Sequence, residues 1–145
     1  MGFVCVKGST EFVPMYCGTS SALVAGALAV YDVSTGASVS PVIDATASLL
    51  AENVAGVVAA TPAAGDTMVK IIPIKGQIWE YDCTSTPSTA MLGKCNDLTN
   101  STTVANSTTI STANTAFVRN LSISGPAAAK KMLGFILGGQ DAIAN

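Results

Sequence analysis

The chain of 145 residues has no histidine, and its seven Lys/Arg and nine Asp/Glu leave it poor in charge of either sign. Without histidine, the Ser–His and Cys–His arrangements that activate a nucleophile are excluded. Zinc would need four scattered thiolates, because no Cys-x-x-Cys spacing occurs. No glycine-rich stretch runs into Gly-Lys-Ser/Thr, so a phosphate-cradling loop is absent. Lys and Arg occur singly apart from Lys130-Lys131, net charge is −2 and the pI is near 4.8, which argues against direct nucleic-acid binding. Long apolar runs are missing too. Ala22 to Val30 is nine residues, too short to span a bilayer, so no membrane partner is expected. The N-terminus lacks a basic segment followed by an apolar stretch, and Val6 stands where myristoylation requires Ser or Thr. These absences predict a soluble protein made and kept inside a cell. Cysteines 5, 17, 83 and 95 are then expected as free thiols packed like small hydrophobes, the alternative being two disulfides in one of three pairings.

Charged residues make up 11% of the chain, against roughly 25% in an ordinary soluble domain. A compact monomer of 14.6 kDa exposes roughly 6,900 Å², or about one charge per 430 Å². Interface centres are depleted in charge, so much of this surface is expected to lie against other chains.

Glycine is what the chain does have, thirteen in all, with seven spaced at positions 8, 18, 26, 36, 56, 65 and 76. Between these lie runs rich in Val, Ile and aromatics. Glycine supplies positive-φ turn geometry, and β-branched or aromatic residues suit a half-buried pleated surface. Turn signals every eight to twelve residues predict an all-β fold, a small antiparallel β-barrel or β-sandwich with short turns and one long polar loop. We read residues 1–145 as a single β domain, with an N-terminal arm over 1–17 and a polar low-complexity loop over 99–115.

Residues 3–6 and 11–17 flank Lys7-Gly8-Ser9-Thr10 and read as a hairpin, with Pro14 demoting the second strand to an edge. Ala27 to Tyr31 is a strand followed by a turn over 32–36, and Ser38 to Val42 a short strand. Thr46 to Asn53 is a helix candidate of two turns at most, capped by Thr46. Val54 to Ala60, a turn over Thr61 to Asp66, a strand over Thr67 to Ile74, a Lys75-Gly76 hairpin turn and a strand over Gln77 to Asp82 form the clearest segment. Residues 99–115 carry only Val104 and Ile110 as larger apolar side chains, so this tract is a loop or a strand ordered by a neighbour. Ala116 to Ile123 is a strand. Pro126 to Leu133 can open a helix, but Leu133 to Leu137 makes a better final strand.

The search for chemistry yields little. Glu80 and Asp82 share a strand face about 7 Å apart, a separation a glycosidase pair can use, but solvated carboxylates on a wet strand face are the simpler account. Asp66 reads as a turn residue. Trp79 and Tyr81 form a same-face aromatic pair, expected to be buried with the indole N–H bonded. Asn100, Asn106 and Asn120 match the glycosylation pattern by chance in an Asn/Ser/Thr-rich tract. No catalytic, cofactor-binding or metal-binding residue is assigned, and no enzyme is expected.

The order Cys17-Gly-Thr-Ser-Ser-Ala-Leu-Val-Ala-Gly-Ala-Leu-Ala-Val-Tyr-Asp32, then Val54-Ala-Gly-Val-Val-Ala59, then Ala64-Gly-Asp-Thr-Met-Val-Lys-Ile-Ile-Pro-Ile74 resembles the small β-barrel decoration, or cement, proteins of tailed-bacteriophage heads. Met91 to Leu98 and Leu133 to Leu137 echo it more loosely. The resemblance implies a non-catalytic protein on the capsid exterior, made in the host cytoplasm, that binds the major capsid protein and self-associates, often as a homotrimer. Two rival readings are another virion component, such as a tail-tube or head-fibre protein, and an extracellular β-sandwich adhesin or carbohydrate-binding module with Trp79 stacking on a sugar.

Overall fold

A computed structural model of the chain describes residues 2–18, 23–33, 40–46, 53–107 and 116–138. Its strands are β1 Val4–Lys7, β2 Val13–Tyr16, β3 Leu28–Tyr31, β4 Val42–Asp44, β5 Val54–Val58, β6 Met68–Pro73, β7 Ile78–Cys83, β8 Cys95–Asn100, β9 Thr103–Ala105, β10 Val118–Ile123 and β11 Lys131–Ile136. The fold is all-β, as the glycine spacing predicts. Strands β7-β11-β10-β8-β9 form a closed barrel, antiparallel except where β9 returns to pair parallel with the end of β7. Strand β1 lies along the start of β7 on the same side as β9. A second, antiparallel sheet runs β2-β6-β5-β3-β4.

The two expected hairpins do not form. Strand β1 pairs with β7 and β2 with β6, so the chain uses both Lys7–Thr10 and Lys75-Gly76 to cross between sheets. Alternation reveals a strand's faces but not its partner. Phe3 and Cys5 join the core shared with the barrel, whereas Met15 and Cys17 belong to the second sheet's own core. Gln77, buried to 4% exposure, ties the two crossings together. Its amide donates to the Ser9 carbonyl at 3.1 Å and the Pro73 carbonyl at 2.8 Å, and its Oε1 accepts from the Lys75 N–H at 2.6 Å. Gly8 passes so close, at φ 118°, that a Cβ there would run into the Gln77 side chain.

The second sheet is apolar on both faces. Leu28 and Val30 on β3 and Val54 and Val57 on β5 face the barrel and join a core with Phe3, Trp79, Tyr81, Phe117 and Met132. Ala29, Ala55, Val58, Val69 and Ile71 point the other way, into a smaller core with Cys17, Leu23 and Val42. The β5–β6 turn is the expected one. Asp66 closes it by accepting from the Ala63 N–H at 3.0 Å through Oδ2.

Two element boundaries depart from the sequence reading, and most of the Thr46–Asn53 helix candidate lies outside the described residues. Pro126 opens only a 3-10 turn, Ala127–Ala129, after which Lys130 adopts φ 54° and β11 starts at Lys131 rather than Leu133. Three alanines give that turn no apolar face to bury. The polar tract is no continuous loop over 99–107: β8 runs to Asn100 and β9 covers Thr103–Ala105, while residues 108–115 lie outside the described set. Polar side chains do the ordering. Asn100 Oδ1 accepts from the Thr102 N–H at 3.0 Å and its hydroxyl at 2.9 Å to make the turn. Buried Asn106 exchanges two 2.8 Å hydrogen bonds with the Ser85 backbone and so extends the β7–β9 closure in side-chain form.

Inside the barrel, Tyr81 donates its hydroxyl to Asn120 Oδ1 at 2.8 Å, and Asn120 Nδ2 donates to Asn96 Oδ1 and to the Met91 carbonyl at 3.1 Å. Gly134 on β11 makes room for this network: an added Cβ would collide with the Tyr81 hydroxyl and the Arg119 carbonyl. The second of these is backbone and cannot swing aside. Gly134→Ala is therefore expected to destabilise the protein by about 3 kcal/mol through overpacking. Urea unfolding measures this, and an unchanged midpoint would contradict the geometry.

Candidate functional site

Glu80 and Asp82 do share the outer face of β7, but they are not a pair of free carboxylates. Lys131, across on β11, donates to Asp82 Oδ1 at 2.7 Å and stands 4.0 Å from Glu80 Oε1. The Gly2 N–H donates to Asp82 Oδ2 at 2.9 Å and the Ser124 hydroxyl to Glu80 Oε2 at 2.6 Å. Partial burial pushes the Asp82 carboxyl up, but the hydrogen bonds from Lys131 and Gly2 and the Lys131 charge outweigh it and hold the group below the usual carboxylate range. Lys131 is in turn held protonated by its hydrogen bond to Asp82. A glycosidase pair needs one carboxyl held protonated as the acid, whereas Asp82 is held ionised and both carboxylates are engaged by Lys131, Gly2 and Ser124. The cluster is a staple across β7–β11.

The staple has a pH signature. Because the folded-state pKa of Asp82 is depressed, its contribution is present above the unfolded value of about 4 and is lost as pH falls through the folded one. All three side chains are about 30% exposed, so the contribution is at most about 1 kcal/mol after screening. Asp82→Asn is expected to lower stability slightly at pH 7, the difference shrinking as pH falls below about 4. Thermal melts across that range test it, and an equal loss at both ends would exclude the ionic origin.

All four cysteines are free thiols. Cys17 and Cys83 are buried, while Cys5 and Cys95 are half-buried. Burial first, and the Asp82 charge second, push the Cys83 thiol up to about 12, so it is a packed hydrophobe and no nucleophile. Native protein is expected to react with a thiol reagent at Cys5 and Cys95 well before Cys17 and Cys83, reaching four thiols per chain on unfolding without reductant. Fewer than four would reveal oxidation or a bound metal.

Trp79 is buried to 1% exposure, which removes it as a sugar-stacking platform. The expected indole hydrogen bond is absent: Nε1 finds no partner among the described residues. Its cross-strand neighbours, Cys5 and Gly134, bring no side-chain acceptor to it, and the interior amides are engaged elsewhere, Asn120 with Tyr81 and Asn96, and Asn106 with Ser85. Asn106 and Asn120, two of the three sequon asparagines, are buried with their side chains engaged.

The surface feature that remains is apolar. On β6, Met68 and Lys70 point away from the second core, which takes Val69 and Ile71. Tyr16 on β2 lies directly opposite Met68. The Phe12 ring sits beneath the Lys70 ammonium, 5.1 Å from the ring centroid. Phe12, Tyr16 and Met68 are each about half exposed. By alternation Ile72 continues the same face, and it also lines a cleft of about 500 Å³ between the sheets with Phe3, Val4, Cys5, Val57 and Trp79. This is the face of the second sheet that the barrel seals over β3 and β5; over β2 and the start of β6 no described residue seals it. Sequence reading missed the cluster, because Phe12 and Tyr16 are 52 or more residues from Met68 and only the β2–β6 pairing joins them.

Among the described residues, no group of three His, Cys, Asp or Glu is placed to hold a metal ion. Comparison with protein-family models, curated proteins and solved structures found no match to this chain.

Proposed function

We propose that the chain is a non-catalytic structural protein that decorates the exterior of a tailed-phage head, binds the major capsid protein and stabilises the lattice as a homotrimer. The observation that carries this reading is the uncovered apolar face of Phe12, Tyr16 and Met68, continuous with the cleft beside Ile72, on a chain with few charges. The order of segments over residues 17–83, with its likeness to head decoration proteins, supports it. A standard interface takes about 800 Å² per partner, and about one charge per 430 Å² leaves room for such contacts without burying many unpaired charges.

Purified protein is expected to cosediment with expanded phage capsids, and the bound amount to change little between low and high salt, since few ion pairs take part. Absence from the capsid pellet at every salt concentration would overturn this function. Binding that collapses with salt would replace the apolar contact by an electrostatic one.

A further inference from the structure

We infer that the face formed by Phe12, Tyr16 and Met68 is where a second copy of this chain docks, through side chains packed face to face rather than through an extended sheet. The inference deepens the proposed function by naming a contact surface, and it rests on that reading for the claim that copies assemble.

Strand addition at β2 is disfavoured by its own geometry. The Cys17 N–H donates to the Thr67 carbonyl at 2.8 Å, which makes 17:67, and by alternation 15:69 and 13:71, the hydrogen-bonded pairs. Pro14 and Lys70 are then a non-bonded pair, so position 14 directs its backbone nitrogen to the open edge. A proline there has no N–H to offer an incoming strand. The edge is closed to backbone pairing while the face beside it stays apolar.

Area and charge both select a copy of the chain as occupant. Phe12, Tyr16 and Met68, each about half exposed, present on the order of 300 Å² of mostly apolar surface. About 57% of a standard 800 Å² interface side is apolar, roughly 450 Å², so the patch together with the cleft lining beside Ile72 suits the apolar part of one such side. The charges nearest in sequence and space are of both signs. Glu11 adjoins Phe12, and Lys70 caps the Phe12 ring. Neither has an ion-pair partner among the described residues. A surface carrying both signs around an apolar centre can set the carboxylate of one copy against the ammonium of the next around a closed ring.

The test is sedimentation-velocity and light-scattering analysis of the full chain without capsids. Wild type is expected to form a concentration-dependent oligomer. Phe12→Ser combined with Met68→Ser is expected to weaken self-association by roughly thirtyfold or more while keeping the wild-type circular dichroism spectrum. Leu121→Ser, which removes an exposed apolar side chain from β10 of the barrel, is expected to change nothing. An oligomer that survives the double substitution overturns the inference, as does a Leu121→Ser variant that dissociates equally, or a wild type monomeric at high concentration. Should the oligomer form through this face yet fail to cosediment with capsids, the capsid reading falls and the docking surface stands.

Discussion

A tyrosine hydroxyl at the centre of a barrel has to be given a partner, and that requirement organises the larger half of this molecule. Tyr81 is fully buried, and burial, with smaller contributions from the charges of Cys83 and Cys95, pushes its hydroxyl pKa up so that it stays a neutral donor. Its acceptor is Asn120 on β10, whose amide reaches Asn96 on β8 and the Met91 carbonyl. One side chain from each of three strands therefore meets at a point. The fourth, β11, contributes the missing side chain of Gly134. A register slip of one residue would turn each of these amides outward and leave the hydroxyl unpaired in an apolar interior, a loss of about 1–3 kcal/mol per orphaned group. The network thus specifies register as well as adding stability.

The same strand carries the staple on its outer face. Glu80 and Asp82 alternate with Trp79, Tyr81 and Cys83, so β7 fixes the barrel from inside by packing and from outside by charge. This accounts for the fate of the most enzyme-like feature in the chain. Two carboxylates at catalytic spacing become structural once Lys131 pairs opposite them: Asp82 is held below the usual carboxylate range, and Glu80 is tied to Ser124 and Lys131.

What sequence revealed was set by the range of the interactions involved. Alternation and turn residues are local, so the strands around Phe3, Leu28, Val54, Met68, Trp79 and Val118 were legible, as was the edge position of Pro14. Pairing is non-local. Lys75-Gly76 has the composition of a hairpin turn and instead carries the chain between sheets, because Trp79 and Tyr81 bury against the barrel while Val69 and Ile71 bury in the second core. Strands β8 and β9 were hidden for a different reason. Their inward positions include Asn96, and beside them Asn106 does a strand's work with its side chain, so an apolar pattern could not find them. The exposed cluster at Phe12, Tyr16 and Met68 became visible only with the β2–β6 register.

The distribution of edges and faces then constrains how the molecule can meet anything else. Barrel closure removes edges from β7 through β11 apart from the short β1. In the second sheet, β4 is three residues long, and β2 presents Pro14 where an added strand would need a donor. Both edges are thus poor templates for another strand, and open-ended sheet growth is suppressed. The apolar face between them is not suppressed: beyond the shelter of the barrel it continues through Ile72 to Phe12, Tyr16 and Met68 with a single lysine laid across it. A fold that blunts its edges and leaves one face uncovered allows association through side-chain packing, which has a definite stoichiometry, while opposing backbone pairing, which has none. That combination supports the proposed assembly of copies into an ordered array.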